Sequence, residues 1–124
     1  MAGSQTAVVV EDDADVGGLI HAILGAAGVT ARLAETGTAG VDAVRMHSPD
    51  IVILDFGLPD ITGLEVIRRI RSFSHVYILM LTGHEEMMDA LISAGANAVM
   101  SKPFRPRALR AQVDEALGLQ LPQP

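Results

Sequence analysis

Residues 51–55 read Ile-Val-Ile-Leu-Asp, four apolar residues running directly into an acid. A short continuous apolar run rich in β-branched residues fits a strand buried on both faces, as in a parallel sheet covered by helices. Ser48-Pro49 stands before it as a helix stop, and Gly57 and Pro59 mark a loop after it. Beyond the loop, Thr62 and Glu65 have the spacing of a capping box, and Leu64, Ile67 and Ile70 continue at helical spacing. Helix stop, buried strand, loop and capped helix together make the repeating unit of an α/β chain.

The unit recurs on both sides. Upstream, residues 6–10 read as a nearly all-apolar strand. A helix over residues 14–27 follows, with Val16, Leu19, Ile20, Ile23, Leu24 and Ala27 at helical spacing and Gly28 placed for a left-handed cap. Residues 30–33 read as a second, shorter strand and residues 36–46 as a less amphipathic helix. Downstream, residues 76–81 are a strand candidate, and Met87, Ala90, Leu91 and Ala94 mark a helix stopped by Gly95. Residues 96–100 form the last strand. The closing helix begins at Pro106 and buries Leu109, Val113, Ala116 and Leu117. Five strands alternating with five helices predict one doubly wound parallel sheet over residues 5–118, with residues 119–124 as a tail or the start of a linker.

With 124 residues, 49% of them hydrophobic, the chain has material for one real core. No apolar run reaches the ~18 residues of a bilayer span and no signal peptide opens the chain, so a cytoplasmic protein with no membrane contact is expected. The absence of cysteine excludes disulfides and thiolate metal sites. A formal charge of −6 argues against direct nucleic-acid binding, because phosphate backbones select basic surfaces.

In open parallel sheets, ligands bind outside the carboxyl ends of the strands. The chemically informative residues follow the apolar runs: Glu11-Asp12-Asp13 after Val8-Val9-Val10, Asp55 after Leu54, Thr82 after Leu81, and Lys102 after Ser101. Clustered carboxylates repel unless a cation compensates, and an all-oxygen set without His or Cys suits Mg²⁺. A carboxylate nucleophile, a cation, an ammonium and a hydroxyl are what a phosphoryl group in transfer requires.

These segments carry a family resemblance. VVVEDD (residues 8–13), the Asp55 strand with FGLPDITGLEVIRRIR (56–71), MLTG (80–83) and GANAVMSKPF (95–104), in this order and spacing, resemble the receiver domain of bacterial response regulators. The resemblance spans nearly the whole chain. It implies the flavodoxin-like strand order 2-1-3-4-5 and a two-component phosphorelay. Asp55 would be the phosphoacceptor. Asp12 and Asp55 would hold Mg²⁺ directly, Glu11 partly through water, and the Gly57 carbonyl would complete the protein ligands. Lys102 would pair with Asp55 before transfer and with a phosphoryl oxygen after it, and Thr82 would bond another. The implied partners are a sensor histidine kinase or phosphotransfer protein and a downstream protein or output domain. The domain would assist its own phosphorylation and dephosphorylation without being an enzyme.

Other conspicuous residues have plainer readings. Asp13 and Asp15 suit capping and helix N-terminal charge; Glu85, Glu86 and Asp89 suit a solvated face, as do Arg105, Arg107 and Arg110. Met87 and Met88 divide between core and surface. His21, His47 and His75 are incidental. His84, two residues after Thr82, and Gly57, two after Asp55, occupy positions that in the family govern how water removes the phosphate. Pro103 after Lys102 matches the family's Lys-Pro step. The chain departs from the family at Val99, where a switching aromatic is usual; a stiff β-branched side chain cannot make the same inward swing. Asn97-Ala98 replaces an acidic pair, which weakens a homodimer through the fourth helix, fifth strand and fifth helix. The competing readings are a pseudo-receiver, an interaction module independent of phosphorylation, and a small flavin or nucleotide binder on a similar doubly wound sheet. The second lacks any glycine-rich phosphate loop, and Glu11-Asp12-Asp13 would repel phosphate.

Overall fold

The computed structural model describes residues 5–118; residues 119–124, read above as a tail, lie outside the described residues. The chain runs β1 (Gln5–Val10), α1 (Ala14–Ala26), β2 (Val29–Ala34), α2 (Gly37–His47), β3 (Ile51–Asp55), α3 (Gly63–Arg71), β4 (Tyr77–Thr82), a 3₁₀ turn (Glu85–Met87), α4 (Met88–Ala94), β5 (Ala98–Ser101) and α5 (Pro106–Leu117). All strand pairs are parallel and the order is β2-β1-β3-β4-β5. The doubly wound sheet and its strand order are therefore as the sequence implied.

Side chains alternate across the sheet and divide the interior in two. Val8, Val10, Val52, Leu54, Ile78 and Met80 meet α2, α3 and α4 through Val41, Val44, Val66, Ile67, Ile70 and Leu91. Ala7, Val9, Ile51, Ile53, Leu79 and Leu81 meet α1 and α5 through Ile20, Leu24, Leu109 and Val113. Each fully buried Ile, Leu or Val contributes roughly 1.5–3 kcal/mol relative to leaving it in water.

Local chemistry sets the element ends. Asp13 caps α1, its Oδ1 accepting from the Asp15 and Val16 amides at 2.9 and 3.1 Å, and Gly28 closes it at φ +79°. Thr36 caps α2 through the Ala39 amide. Thr62 caps α3 through the Glu65 amide. The capping box is only half made, however: the Glu65 carboxylate turns outward to Arg68 and Arg69, each at 3.0 Å.

Three expectations need correction. Burial on both faces does not extend to the edge strands, because Thr30, Arg32 and Leu33 of β2 are exposed and all four residues of β5 are half-buried. Edge strands have one unpaired side, and helices cover them incompletely. Leu19, placed on the buried stripe of α1, is 44% exposed. The fourth helix begins with a 3₁₀ turn, and β5 starts at Ala98, after the Ala96 amide bonds back to Leu91 O in α4. Met87 packs against the α2–α3–α4 core as expected.

Candidate functional site

The hydrogen-bond ladder continues one residue past several strands. The Glu11 amide donates to Ala34 O (2.9 Å), the Phe56 amide to Leu81 O (2.9 Å) and the Lys102 amide to Thr82 O (2.8 Å). Residues leaving the carboxyl edge are thus held nearly as firmly as those within it. This is why acids far apart in sequence converge.

Carboxylate oxygens of Glu11, Asp12 and Asp55 lie within 4.8 Å of one another. Lys102 reaches in from β5, with Nζ 2.7 Å from Asp55 Oδ1 and 3.2 Å from Glu11 Oε1. Glu11 and Asp55 are buried, and Asp12 is exposed. Three carboxylates against one ammonium leave two formal negative charges, which one divalent cation would balance. The donors are all oxygen, at an open sheet edge where a cation could keep several waters, and this fits Mg²⁺.

The electrostatics follow from the packing. Burial pushes the Glu11 carboxyl above its ordinary value; the Asp13 amide opposes that, Asp55 reinforces it, and Lys102 opposes it. For Lys102, burial is the largest influence and favours the neutral amine. The hydrogen bonds and charges of Asp55 and Glu11 together outweigh it and raise the pKa. The ammonium is the counter-charge that makes two buried carboxylates tolerable.

Thr82 ends β4 completely buried, and its hydroxyl oxygen accepts from the His84 amide at 2.9 Å. His84 is exposed; its ring meets Phe56 edge-on with centroids 5.5 Å apart, and its Nδ1 lies 3.3 Å from Glu86. Gly57 is exposed beside Asp55, where an added Cβ would stand 3.7 Å from Oδ2. The Lys102–Pro103 bond is cis. Val99 lies outside this group, packed from β5 against the α2–α3–α4 core.

Sequence reading missed two residues. Asp60, in the loop after β3, accepts from the Gly37 amide (2.8 Å), the Thr38 amide (2.9 Å) and the Thr38 hydroxyl (2.7 Å). The Thr38 hydroxyl and amide hold its carboxyl far below the usual carboxylate range. Arg71 donates twice to Gly95 O and once each to Ser74 O and Asn97 Oδ1, clipping the start of β5 to α3. Neither is legible locally, since their partners lie 22–26 residues away for all but one of these bonds.

Residues 7–114 match the response regulator receiver domain. The chain belongs to that family. It is 36% identical over 111 residues to the DNA-binding response regulator MtrA of Mycobacterium tuberculosis, covering 88% of this chain and 49% of MtrA. It is likewise 36% identical over 112 residues to the KDP operon transcriptional regulatory protein KdpE of Escherichia coli, covering 89% of this chain and 50% of KdpE. The chain thus spans about half the length of these curated relatives. Among solved structures, a response regulator from Chloroflexus aurantiacus J-10-fl superposes with a TM-score of 0.87 at 32% identity, covering 94% of this chain and 99% of that one. A CheY-like receiver domain protein from Methanospirillum hungatei gives 0.88 at 24% identity over 94% and 95%, a likeness of fold. Among the described residues no helix is long and apolar enough to cross a membrane.

Proposed function

We propose that this receiver domain accepts a phosphoryl group on Asp55, with Mg²⁺ held by Glu11, Asp12, Asp55 and the Gly57 carbonyl, and that phosphorylation switches its binding of partners. The observation that carries the reading is Lys102 Nζ, 2.7 Å from Asp55 Oδ1 and within reach of Glu11, beside three converging carboxylates. An Asp55 oxygen attacks phosphorus, and the bond to the donor's leaving group breaks with its electrons leaving on that group. Lys102 shifts from the carboxylate to a phosphoryl oxygen, and the Thr82 hydroxyl donates to another. Bound Mg²⁺ would supply positive charge for the phosphoryl oxygens. Such transfers depend mainly on positioning and charge stabilisation, which a preformed edge provides. The domain assists its own chemistry and turns over no separate substrate.

The donor is a sensor histidine kinase or phosphotransfer protein, and the acceptor of the signal is a downstream protein or output domain. A docking surface beside the acceptor supports this. Val16, Leu19, Pro103 and Phe104 line a shallow apolar groove of about 420 Å³ ending at Lys102, which gives the exposed Leu19 a role. One observation favours a pseudo-receiver that works unphosphorylated: Val99, in place of an aromatic, offers no swinging ring to relay the switch.

Intact-mass measurement after incubation with acetyl phosphate tests the proposal. A Mg²⁺-dependent gain of one phosphoryl group, absent in Asp55→Asn and with EDTA, is expected. Absence of any gain from acetyl phosphate and from kinase-supplied donors would give the pseudo-receiver the lead.

A further inference from the structure

Two of the segments assigned to the Mg²⁺ site are anchored to the same third segment, which supplies no ligand. Glu11 is tied by its amide to Ala34 O at the end of β2 (2.9 Å). Three residues on, α2 begins, and its first two amides and the Thr38 hydroxyl bind Asp60, three residues after Gly57. Apolar packing reinforces the tie. A Cβ on Gly37 would come within 2.5 Å of Ile61 Cγ1 and 2.8 Å of Val66 Cγ2, so the helix start presses directly on the loop. At the other end of the short loop, the Leu58 amide bonds Phe56 O at 3.2 Å, leaving the Gly57 carbonyl uncommitted among these bonds.

We infer that Asp60 is a positioning residue for the metal site, holding the Gly57 carbonyl at a set distance from Glu11 and Asp12 by pinning its loop to the start of α2. The inference rests on the proposed Mg²⁺ reading and adds to it a residue that touches neither metal nor phosphoryl group. A carbonyl in the seven-residue loop 56–62 would otherwise sample many orientations, and Mg²⁺ is intolerant of misplaced oxygens. Residues that orient metal ligands typically change affinity by about 10–100-fold when removed.

The test measures Mg²⁺ affinity from amide chemical shifts in NMR titrations without any phosphodonor. Asp60→Ala should weaken Mg²⁺ binding about tenfold, and Thr38→Val, which keeps the charge and both amides, should weaken it less. Arg71→Ala removes the clip at the entry to β5, away from this anchor, and should lower thermal stability while leaving Mg²⁺ affinity unchanged. The Asp60→Ala deficit should persist in high salt, where loss of a distant charge would be screened. Unchanged affinity in a folded Asp60→Ala domain would overturn the inference. So would an equal loss in Arg71→Ala, or a deficit that vanishes in salt. If the unaltered domain bound no Mg²⁺, the site reading itself would fall and the positioning role with it; a wild-type titration alone separates that case.

Discussion

The two halves of the site edge are built differently. On the β1–β3 side, Ala7–Val10 of β1 and every residue of β3 are buried, and α2 is held at its start by both Thr36 and Asp60. On the β4–β5 side, β5 is half-buried along its length. The seven-residue α4 buries only Leu91, and neither it nor the preceding 3₁₀ turn has a side-chain N-cap. Sparse burial and missing caps place α4 and β5 at the low end of local stability. Asp55 and the neighbouring acids thus stand on the firm half, while Val99 and the surface that would signal outward stand on the soft half. A site that must hold charge in place benefits from the first, and an element that must respond to it benefits from the second.

The strongest expected effect lies in the firm half. A Cβ on Gly40 would fall 2.5 Å from Val10 Cγ2, and the short, β-branched Val10 side chain in a fully buried strand cannot yield. Gly40→Val should cost about 3 kcal/mol in urea unfolding, at the upper end for overpacking. A cost below 1 kcal/mol would show that α2 is not pressed against β1.

Next comes Arg71→Ala. It removes the clip between α3 and the β5 entry, at roughly 1–3 kcal/mol for hydrogen bonds from a charged group. Amide exchange should quicken around residues 91–101 more than in β1 and β3. Uniform acceleration across the sheet would erase the contrast between the halves.

A smaller, pH-dependent effect is expected at Asp60. Its folded pKa is depressed, so its contribution is present above the unfolded value near 3.9 and is lost as pH falls through the folded value. Thermal melts should find the native domain more stable than Asp60→Asn at pH 7, with the gap closing below about pH 4. A gap independent of pH would count against a charged clamp.

The least effect on stability and uptake is expected from Val99→Tyr. Phosphoryl gain by intact mass should be unchanged, because Val99 packs against the α2–α3–α4 core and supplies no polar group to the site, while phosphorylation-dependent partner binding should strengthen. Unaltered partner binding would argue against a relay through this position. Asn97 bears on the same surface: its Oδ1 already accepts from Arg71 (2.9 Å) and the Ile78 amide (2.8 Å), so it serves the fold where an acidic residue would serve a dimer.

Much of this protein was legible in its local patterns. Apolar runs ending in acids, the capping residues and the glycine stops located every strand and helix. The position of Glu11, Asp12, Asp55, Thr82 and Lys102 at the ends of those runs put them at one edge of the sheet, because a parallel sheet brings its carboxyl ends together. Patterns of period 2 and 3.6 report what each segment buries, and they fail where burial depends on distant neighbours. Leu19 and Leu33 look like core residues and are exposed because, among the described residues, no element covers them. Asp60 and Arg71 look like solvated charges, yet they staple segments 22 or more residues away. Lys102, besides its bond to Asp55, bonds Glu11 across 91 positions of chain. Only the folded arrangement brings those pairs within hydrogen-bonding distance, and nothing local to either partner records the other.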